Sequence, residues 1–405
     1  MAVQKGPLDG INVVELASWV AIPTCAAILG DWGADVIKIE HPAGGDPTRG
    51  WAGPGWLPPS SPIGVGWIAD NRSKRSISLD LSREHGREIA YKLVEKADVF
   101  ASNLQEPSLQ KIGMDYETLK QINPKLVYAH LTGYGRKGPK WEKPGFDYSA
   151  FWASSGIMSL IGEDGGPPAF QRPAMGDHMT TGYLLAGIIA ALRARDKQGI
   201  GQRVDIALMG TGLWVVDWQT QATLLTNQNA KRVSQKEMPN PMANTYQAKD
   251  GGWLMLFMLF ERFWPPFCRG LGIEHLEHDP RFDTVEKRAE NCRELISIIE
   301  EIIATKTSEE WALIFDKHEF VWAYVHTIKS AIEDPQTEAN QFIVEVEHPE
   351  LGRIKMVNSP VVFSQTLSSP SMPPPLLGQH TEEILSAIGY DWDDILKFKD
   401  EGVIL

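Results

Sequence analysis

The sequence predicts an α/β protein, because apolar strands and amphipathic helices alternate along its first half. Residues 11–16, 23–32 and 36–40 are expected to form a strand, a helix and a second strand, which together make one βαβ unit. Continued alternation of this kind is typical of a parallel sheet covered by helices. The later predicted elements are a strand at 76–81, a helix at 83–96, strands at 98–101 and 126–131, a helix at 180–195 and a strand at 204–208.

A change of composition after residue 209 predicts a second, smaller domain. Residues 210–235 combine an apolar helix at 210–225 with a polar linker, so they separate two folded regions. Residues 236–330 contain an apolar strand at 253–260 followed by amphipathic helices, which indicates a small α+β domain. Its longer predicted helices are 291–306 and 308–318.

Composition excludes several classes of protein. The hydrophobic content of 43% against 22% charged residues indicates a well-filled globular core. A formal net charge of −13 argues against nucleic-acid binding, which depends on Lys and Arg neutralising phosphates. The N-terminus does not resemble a signal peptide, no apolar run reaches the ~18 residues of a membrane helix, and the three cysteines are too few for a disulfide framework. We therefore expect a cytoplasmic protein that binds neither nucleic acid nor membrane.

Two basic clusters are candidate sites for an anionic small molecule, although the chain as a whole is acidic. One is the segment NRSKRS at 71–76, and the other is the segment RKGPKWEK at 136–143. Such clusters also occur on solvated surfaces, so the residues alone leave both explanations open.

A G-x-G-x-x-G motif, formed by Gly133, Gly135 and Gly138, follows the predicted strand 126–131. A dinucleotide site needs a helix that starts at the third glycine and points its N–H groups at the pyrophosphate. Here Pro139 follows at once, so we expect a loop that approaches a ligand closely instead of a dinucleotide site.

Metal and serine-hydrolase sites are not predicted. His275 and His278, beside Asp279, lack a third ligand of suitable spacing, and the chain has no G-x-S-x-G motif. Aspartate chemistry remains as the best catalytic hypothesis.

Asp177 lies between Gly176 and His178, just before the apolar helix predicted at 180–195. Asp is a preferred N-cap residue, and the unpaired N–H groups and dipole of a helix N-terminus favour the ionised carboxylate. An ionised carboxylate can attack an activated acyl group. Position alone favours the helix cap, and the nucleophile is the competing interpretation.

A series of sequence blocks runs through nearly the whole chain: PLDGINVVELASWVAIPTCAAILGDWGADVIKIE, GGDPTRGW, NRSKRSISLDL, KADVFASNLQEPSLQKIGMDYETL, NPKLVYAHLTGYG, AMGDHMTTG, GIGQRVDIAL and LLGQHTEEIL. Their content and order resemble the class III CoA-transferase family, which includes formyl-CoA and carnitine CoA-transferases. The resemblance implies a Rossmann-like large domain made of residues 1–209 and a returning segment 331–405, with the small domain between them. It also implies a homodimer of two interlocked chains.

The resemblance also implies a mechanism, because the aspartate of the Gly-Asp block is the family's nucleophile and corresponds to Asp177. CoA would pass from a donor acyl-CoA to an acceptor carboxylic acid through an aspartyl anhydride and an aspartyl-CoA thioester, with CoA as cosubstrate and no metal. Gly176, which lacks a side chain, would let the thioester approach closely. The family positions that contact CoA correspond to Val20, Ala21, Asn103, Lys111, Arg72, Lys74 and Arg75. Lys111 stands where arginine often occurs, which removes a bidentate phosphate contact.

The substrate is predicted from departures within the family pattern. Val20 stands where formyl-CoA transferases have glutamine, and their glycine-run loop is absent, which argues against oxalate and formate. Trp19, Phe146, Asp147 and Gly176 are the expected substrate-pocket residues. The segments PGFDYSAFW and GDHMTTG resemble the family members that act on 2-hydroxy and aryl-substituted acids. Aromatic walls suit a bulky apolar or aromatic acyl group, whereas core packing and dimer contacts are the competing explanation for tryptophans. The tryptophans in or beside family blocks near the site are Trp19, Trp51, Trp56, Trp152, Trp214 and Trp218.

Two alternatives stay open. Acyl-CoA racemases resemble these transferases but carry a histidine immediately before the aspartate that matches Asp147, and this chain has Phe146 there. In the racemases a glutamate near the position of Phe260 also assists the chemistry, and in this chain Glu261 stands one position away from it. The absence of this proton-transfer set favours transfer over racemisation. A non-catalytic CoA-binding protein is the alternative from another class, and the intact Gly176-Asp177 pair argues against it.

Overall fold

The computed structural model describes residues 5–51 and 64–405. Contacts divide the chain into two compact units, each with its own core. The first unit comprises Met1–Met158, Phe170–Asn227 and Glu338–Leu405, and the second comprises Ser159–Ala169 and Gln228–Thr337.

A six-stranded sheet forms the centre of the first unit. Its strands are β1 Asn12–Leu16, β2 Asp35–Glu40, β3 Arg75–Ser78, β4 Val99–Ser102, β5 Val127–Thr132 and β6 Gln202–Ala207. The strand order is β3-β2-β1-β4-β5-β6, and all neighbouring strands pair in parallel. The predicted α/β class and the parallel sheet are therefore confirmed. The order reverses between β1 and β4, which opens a crevice at the carboxyl ends of these strands, where α/β proteins bind ligands.

Apolar periodicity predicted six helical segments, at 23–32, 83–96, 180–195, 210–225, 291–306 and 308–318, and the other helices were not predicted. In chain order the helices are α1 Ala21–Asp31, α2 Val65–Asp70, α3 Glu84–Glu95, α4 Glu106–Lys111, α5 Tyr116–Ile122, α6 Met175–Gln198, α7 Leu208–Val215, α8 Asp217–Thr226, α9 Trp264–Leu271, α10 Val285–Glu290, α11 Cys292–Ile303, α12 Ser308–Lys317, α13 Ile328–Ile332, α14 Pro335–Ala339, α15 Thr381–Ala387 and α16 Trp392–Asp400. Every residue of α1 is buried, and α1 packs against α6.

Five predicted elements needed correction. The strand expected at 76–81 ends at Ser78, and the helix expected at 291–306 ends at Ile303. The helix expected at 180–195 begins five residues earlier, at Met175. The helix expected at 210–225 is broken at Val216, whose backbone leaves the helical region between α7 and α8. The strand expected at 253–260 ends at Leu256.

The second unit is the smaller α+β body expected from the sequence. Its strands are β7 Thr245–Gln247, β8 Trp253–Leu256 and β9 Trp322–Tyr324, which form an antiparallel sheet in the order β7-β8-β9. Tyr246, Phe267, Ile299 and Phe315 are buried in its core. In the first unit, an antiparallel pair is formed by β10 Ile343–His348 and β11 Gly352–Val357.

A helix long and apolar enough to cross a membrane is not found among the described residues.

Candidate active site

A cavity of about 440 Å³ lies at the carboxyl ends of β1, β4 and β5, where the order of the sheet reverses. Residues 18–21 after β1, residues 103–106 after β4 and residues 130–133 at the end of β5 form three of its walls. Asp177 from the first turn of α6 lies in a fourth wall. The fold thus brings separate sequence blocks to one site.

Several of the predicted site residues meet in this cavity. Its lining includes Trp19, Val20, Ala21, Asn103, Phe146 and Asp177. Asn103 also fixes the loop after β1: its side-chain nitrogen donates to the Ser18 carbonyl at 2.6 Å, and the Ser18 N–H donates to Asn103 Oδ1 at 3.1 Å. The side-chain amide of Asn103 therefore fixes the loop that carries Trp19.

Asp177 is the third residue of α6, so the prediction that it caps the helix was wrong. The N-cap is Ala174, in the left-handed region with φ 69°, and its side chain makes no cap hydrogen bond. The pKa of Asp177 is raised to about 8, mainly because its half-buried side chain loses contact with water. The negative charges of Asp147 and Asp70 also raise this pKa, whereas His178 lowers it. The expectation that the helix end keeps this carboxylate ionised is therefore corrected, because its loss of water favours the protonated form.

Asp147 lies buried beside the first turn of α6 and opens a short π-helical segment, Asp147–Ala153. The indole N–H of Trp152 donates to Asp147 Oδ2 at 3.3 Å. Burial raises the pKa of Asp147, although the Trp152 hydrogen bond and backbone N–H groups at the start of α6 lower it in part. Among the described residues, Asp147 Oδ1 forms no hydrogen bond of normal geometry.

Gly176 makes room for the Asp147 carboxylate. A Cβ atom at Gly176 would lie 2.3 Å from Asp147 Oδ1 and equally close to the ring of Phe151. Gly176 is buried, so the missing side chain accommodates packing inside the protein, a different reason from the approach of a thioester.

His178 forms a second polar contact beside the candidate nucleophile. Its Nε2 lies 3.3 Å from Asp70 Oδ1, which also accepts a hydrogen bond from the Thr24 hydroxyl at 3.0 Å. Burial lowers the pKa of His178, but the hydrogen bond and negative charge of Asp70 outweigh it, so the net shift is upward. Sequence reasoning missed Asp70, which no local motif marked.

Comparison with known proteins identifies the family. Residues 8–381 match the model of CoA-transferase family III. The chain belongs to this family. It is 33% identical to (R)-2-hydroxy-4-methylpentanoate CoA-transferase of Clostridioides difficile, over 98% of this chain and 99% of that protein, and 34% identical to cinnamoyl-CoA:phenyllactate CoA-transferase of Clostridium sporogenes, over 98% and 97%. A crystal structure of a CAIB/BAIF family protein from Brucella suis matches with a TM-score of 0.84 at 32% identity, covering 95% of this chain and 100% of that chain.

The family assignment confirms that the protein is an enzyme, a CoA-transferase whose cosubstrates are CoA thioesters. The basic stretch at 136–143 contributes Arg136, Trp141 and Lys143 to the cavity wall of this CoA-transferase. Arg136 lies 3.5 Å from Asp205, and Lys143 is exposed. Of the two explanations that the sequence left open for this stretch, the location beside the cavity favours an anion site.

The glycine motif after β5 forms a loop, as predicted. Gly133 lines the cavity, and its Cα packs so closely on the backbone of Gly145 that a Cβ would lie 2.7 Å from Gly145 Cα. The backbone after Gly138 continues as turns and bends without starting a helix.

All four cationic side chains that the sequence assigned to CoA lie outside the cavity lining. Arg72 is paired with Asp31 at 2.9 Å, and Lys74 is fully buried with its Nζ 2.8 Å from Glu15 Oε2. Arg75 forms ion pairs with Asp35 and Glu383, and Lys111 is exposed at the end of α4. Three of these four charges are thus engaged within the protein, and their assignment to CoA stays a prediction.

The aromatic residues divide between the cavity, the core and the surface. Trp19 meets Phe146 edge to face with ring centroids 5.8 Å apart, and Trp51 stands edge-on to Trp19 at 6.5 Å. Trp152 is buried, whereas Trp214 and Trp218 are exposed on α7 and α8. Trp56 lies outside the described residues.

The residues weighed for racemase chemistry have other contacts. Phe146 is in the cavity wall, at the position where the racemase pattern has its histidine. Glu261, in the second unit, forms an ion pair with the buried Arg288.

Proposed function

We propose that this CoA-transferase moves CoA between carboxylic acids with Asp177 as the nucleophile. The proposal rests on the two carboxylates that line the cavity, Glu106 and Asp177, of which only Glu106 forms an ion pair among the residues that the structure describes. Glu106 is paired with Arg203 at 2.7 Å. The described part of the chain provides no ion-pair partner for the Asp177 carboxylate, which is therefore available to react.

The proposed reaction has two halves that mirror each other. An Asp177 oxygen attacks the thioester carbon of the donor, the C–S bond breaks, and a mixed anhydride and the CoA thiolate form. The thiolate then attacks the Asp177 carbonyl carbon, which releases the donor acid and leaves an aspartyl-CoA thioester. The acceptor carboxylate repeats these steps in reverse and leaves as its CoA thioester. Every intermediate keeps one acyl group activated, so no external energy source is required.

The electrostatics around Asp177 suit this nucleophile. A carboxylate with a raised pKa is more basic than an ordinary aspartate, and a desolvated anion is more reactive once it is ionised. Asp147 and Asp70 contribute to the raised pKa, whereas His178 opposes it and stabilises the ionised form. The site therefore holds a desolvated carboxylate whose ionised form is favoured by His178.

We assign the rest of the cavity to the two ends of the substrate. Arg136 and Lys143 supply positive charge for CoA phosphates, and Val20, Ala21 and Asn103 line the path of the thioester arm. Trp19 and Phe146 supply an apolar wall for the acyl group. The names of the two relatives above, a 2-hydroxy-4-methylpentanoate and a cinnamoyl or phenyllactate enzyme, support a bulky apolar, aryl or 2-hydroxy acid.

The test is a CoA-exchange assay with purified protein. Aryl, branched, 2-hydroxy and dicarboxylic acids are offered as acceptors against a panel of acyl-CoA donors, with Asp177→Asn as the inactive variant. Formation of new acyl-CoA by the wild type, lost at least ~1000-fold in Asp177→Asn, supports the proposal. Exchange of an α-proton with deuterated solvent in the absence of an acceptor indicates a racemase, and CoA binding without turnover indicates a non-catalytic protein.

A further inference from the structure

Trp19 adopts a backbone conformation that a tryptophan rarely has. Its φ is 71°, in the left-handed region where a side chain crowds the backbone. Strain of this kind persists only where the surroundings determine the conformation, and it concentrates at functional sites. Trp19 also lines the candidate active site.

The backbone around Trp19 is held on every side by hydrogen bonds. Lys38 Nζ donates to the Ala17 carbonyl at 2.9 Å, and the Trp19 N–H donates to Asp46 Oδ1 at 3.3 Å. The Val20 carbonyl accepts from the Thr24 hydroxyl at 2.8 Å. Together with the Asn103 bonds to Ser18 described above, these contacts leave the loop little freedom to release the strain.

The anchors themselves are buried charges. Lys38 Nζ lies 2.6 Å from Glu15 Oε1 and 3.1 Å from Asp46 Oδ2, and all three side chains are completely buried. Burying charges is unfavourable unless they are paired with good geometry, and hydrophobic replacement is often no less stable. The buried charges therefore have a clearer role in fixing the position of the loop that carries Trp19 than in stabilising the fold.

The same loop is tied to the candidate nucleophile. The Thr181 hydroxyl donates to the Ala21 carbonyl at 2.8 Å and lies 3.1 Å from the Asp177 carbonyl. The indole of Trp19 is 36% exposed in the cavity wall and meets Phe146 edge to face. A strained backbone held by hydrogen bonds therefore places the Trp19 indole in the wall of the cavity that Asp177 also lines.

We infer that Trp19 determines which acyl groups this enzyme accepts, and that Asp46 and Lys38 are positioning residues that hold it. The inference rests on the proposed function, because it places the acyl group on Asp177. The favoured acids carry a flat aromatic or bulky branched apolar group, which contacts the indole. Short acids and dicarboxylic acids gain nothing from this wall.

The first test removes the indole of Trp19 and preserves the backbone conformation at that position. Trp19→Gly suits this purpose because glycine adopts a φ of 71° without strain. The ratio of kcat/KM for a phenyl-substituted acid to kcat/KM for a short aliphatic acid is expected to fall by about tenfold or more. Glu319→Gly is the matched control, since Glu319 has a φ of 56° in the second unit, and it should leave the ratio unchanged.

The second test addresses the positioning residue. Asp46→Asn keeps an acceptor for the Trp19 N–H but removes the charge that faces Lys38. It is expected to lower the same selectivity ratio by several-fold in the wild-type background and not at all in the Trp19→Gly background, because both changes act through one side chain. A ratio unaffected by Asp46→Asn, even with lower thermal stability, would overturn the positioning role.

A binding measurement separates this inference from the proposed function. Calorimetry compares phenylacetyl-CoA with acetyl-CoA on the wild type and on Trp19→Gly, without any turnover. Loss of the phenyl preference in Trp19→Gly supports the inference even if no transfer occurs. Asp177-dependent transfer with an unchanged phenyl preference would overturn the inference and leave the proposed function intact.

Discussion

Asp177 and Asp147 are two carboxylates placed at the start of one helix, where they interact as like charges. Both have raised pKa values, caused first by burial, and the charge of Asp147 contributes further to the pKa of Asp177. The negative charge of Asp147 therefore favours the protonated form of Asp177. The helix N-terminus alone gives the opposite expectation, because its dipole favours ionised carboxylates.

The pH dependence of transfer follows from this pair. The nucleophile must be ionised, so kcat/KM should rise with pH through the pKa of Asp177, which burial raises to about 8. Asp147→Asn removes a negative neighbour and should move the midpoint of the rise to lower pH by about one unit. Complete pH–rate profiles of both proteins measure this, and a midpoint that moves upward in Asp147→Asn would contradict the electrostatic account.

Stability should change in the direction opposite to activity at Asp177. The folded-state pKa is raised to about 8 from the unfolded value near 4, so the folded state binds more protons and loses stability as pH rises between these values. Asp177→Asn removes this penalty and should stabilise the protein at neutral pH by about 1 kcal/mol, after discounting for water in the cavity. Thermal unfolding at several pH values measures the gain.

A matched control for that measurement lies on the same helix. Asp196 is exposed near the end of α6, so Asp196→Asn should change the melting temperature little at any of these pH values. A stabilisation by Asp177→Asn that does not grow between acidic and neutral pH would show that another effect is responsible.

At the scale of elements, the loop after β5 should bind the charged end of CoA. Lys143 lines the cavity and Lys137 of the same loop does not, although both are exposed. Lys143→Ala should raise KM for acyl-CoA by several-fold with little change in kcat, since it removes binding that substrate and transition state share. Lys137→Ala should leave KM within about twofold of the wild type. Equal effects of both changes would indicate only general attraction by a basic surface.

The elements show what the sequence can predict. The first strands were predicted to within one residue at β1 and β2, because short apolar runs bounded by turn residues have few other structures. The start of α6 was missed, because Met175 and Gly176 carry no helical periodicity and Asp177 resembles a cap. The buried partners Glu15 and Lys38 were not predicted either, since their pairing joins separate strands and no local pattern records it.

At the scale of the whole molecule, α8 presents apolar side chains that residues 5–51 and 64–405 leave exposed. Trp218 is 85% exposed, and Leu224 and Leu225 are 74% and 77% exposed. Apolar side chains clustered in this way mark interaction surfaces. The family resemblance implies an interlocked homodimer, and we propose that a second copy of the chain covers α8.

Oligomeric state tests this surface. Trp218→Ser combined with Leu225→Ser should lower the fraction of dimer recovered after unfolding and refolding, measured by sedimentation velocity, because interlocked chains separate only on unfolding and each change removes apolar area from the interface. Trp392→Ser is the matched control, since Trp392 is an exposed tryptophan on α16. A wild type that sediments as a monomer, or a double variant that refolds to dimer as fully as the wild type, would exclude α8 from the interface.

The family resemblance supplied most of what was predicted about the whole molecule. Blocks spread from residue 7 to residue 385 suggested the class III family, and the match over residues 8–381 confirms it. Composition and periodicity gave the α/β class but not the strand order, which depends on long-range pairing. The assignment of Ser159–Ala169 to the second unit is likewise a result of tertiary contacts.

The central claim, that Asp177 carries the acyl group and then CoA, is tested most directly by trapping the intermediate. The enzyme is incubated with an acyl-CoA that carries an aryl group on its acyl chain, quenched with hydroxylamine or borohydride, digested and examined by mass spectrometry. We predict a hydroxamate or a reduced side chain on the peptide that holds Asp177, absent without acyl-CoA and absent in Asp177→Asn. Modification of a different residue, or an unmodified Asp177 peptide during active turnover, would contradict the mechanism.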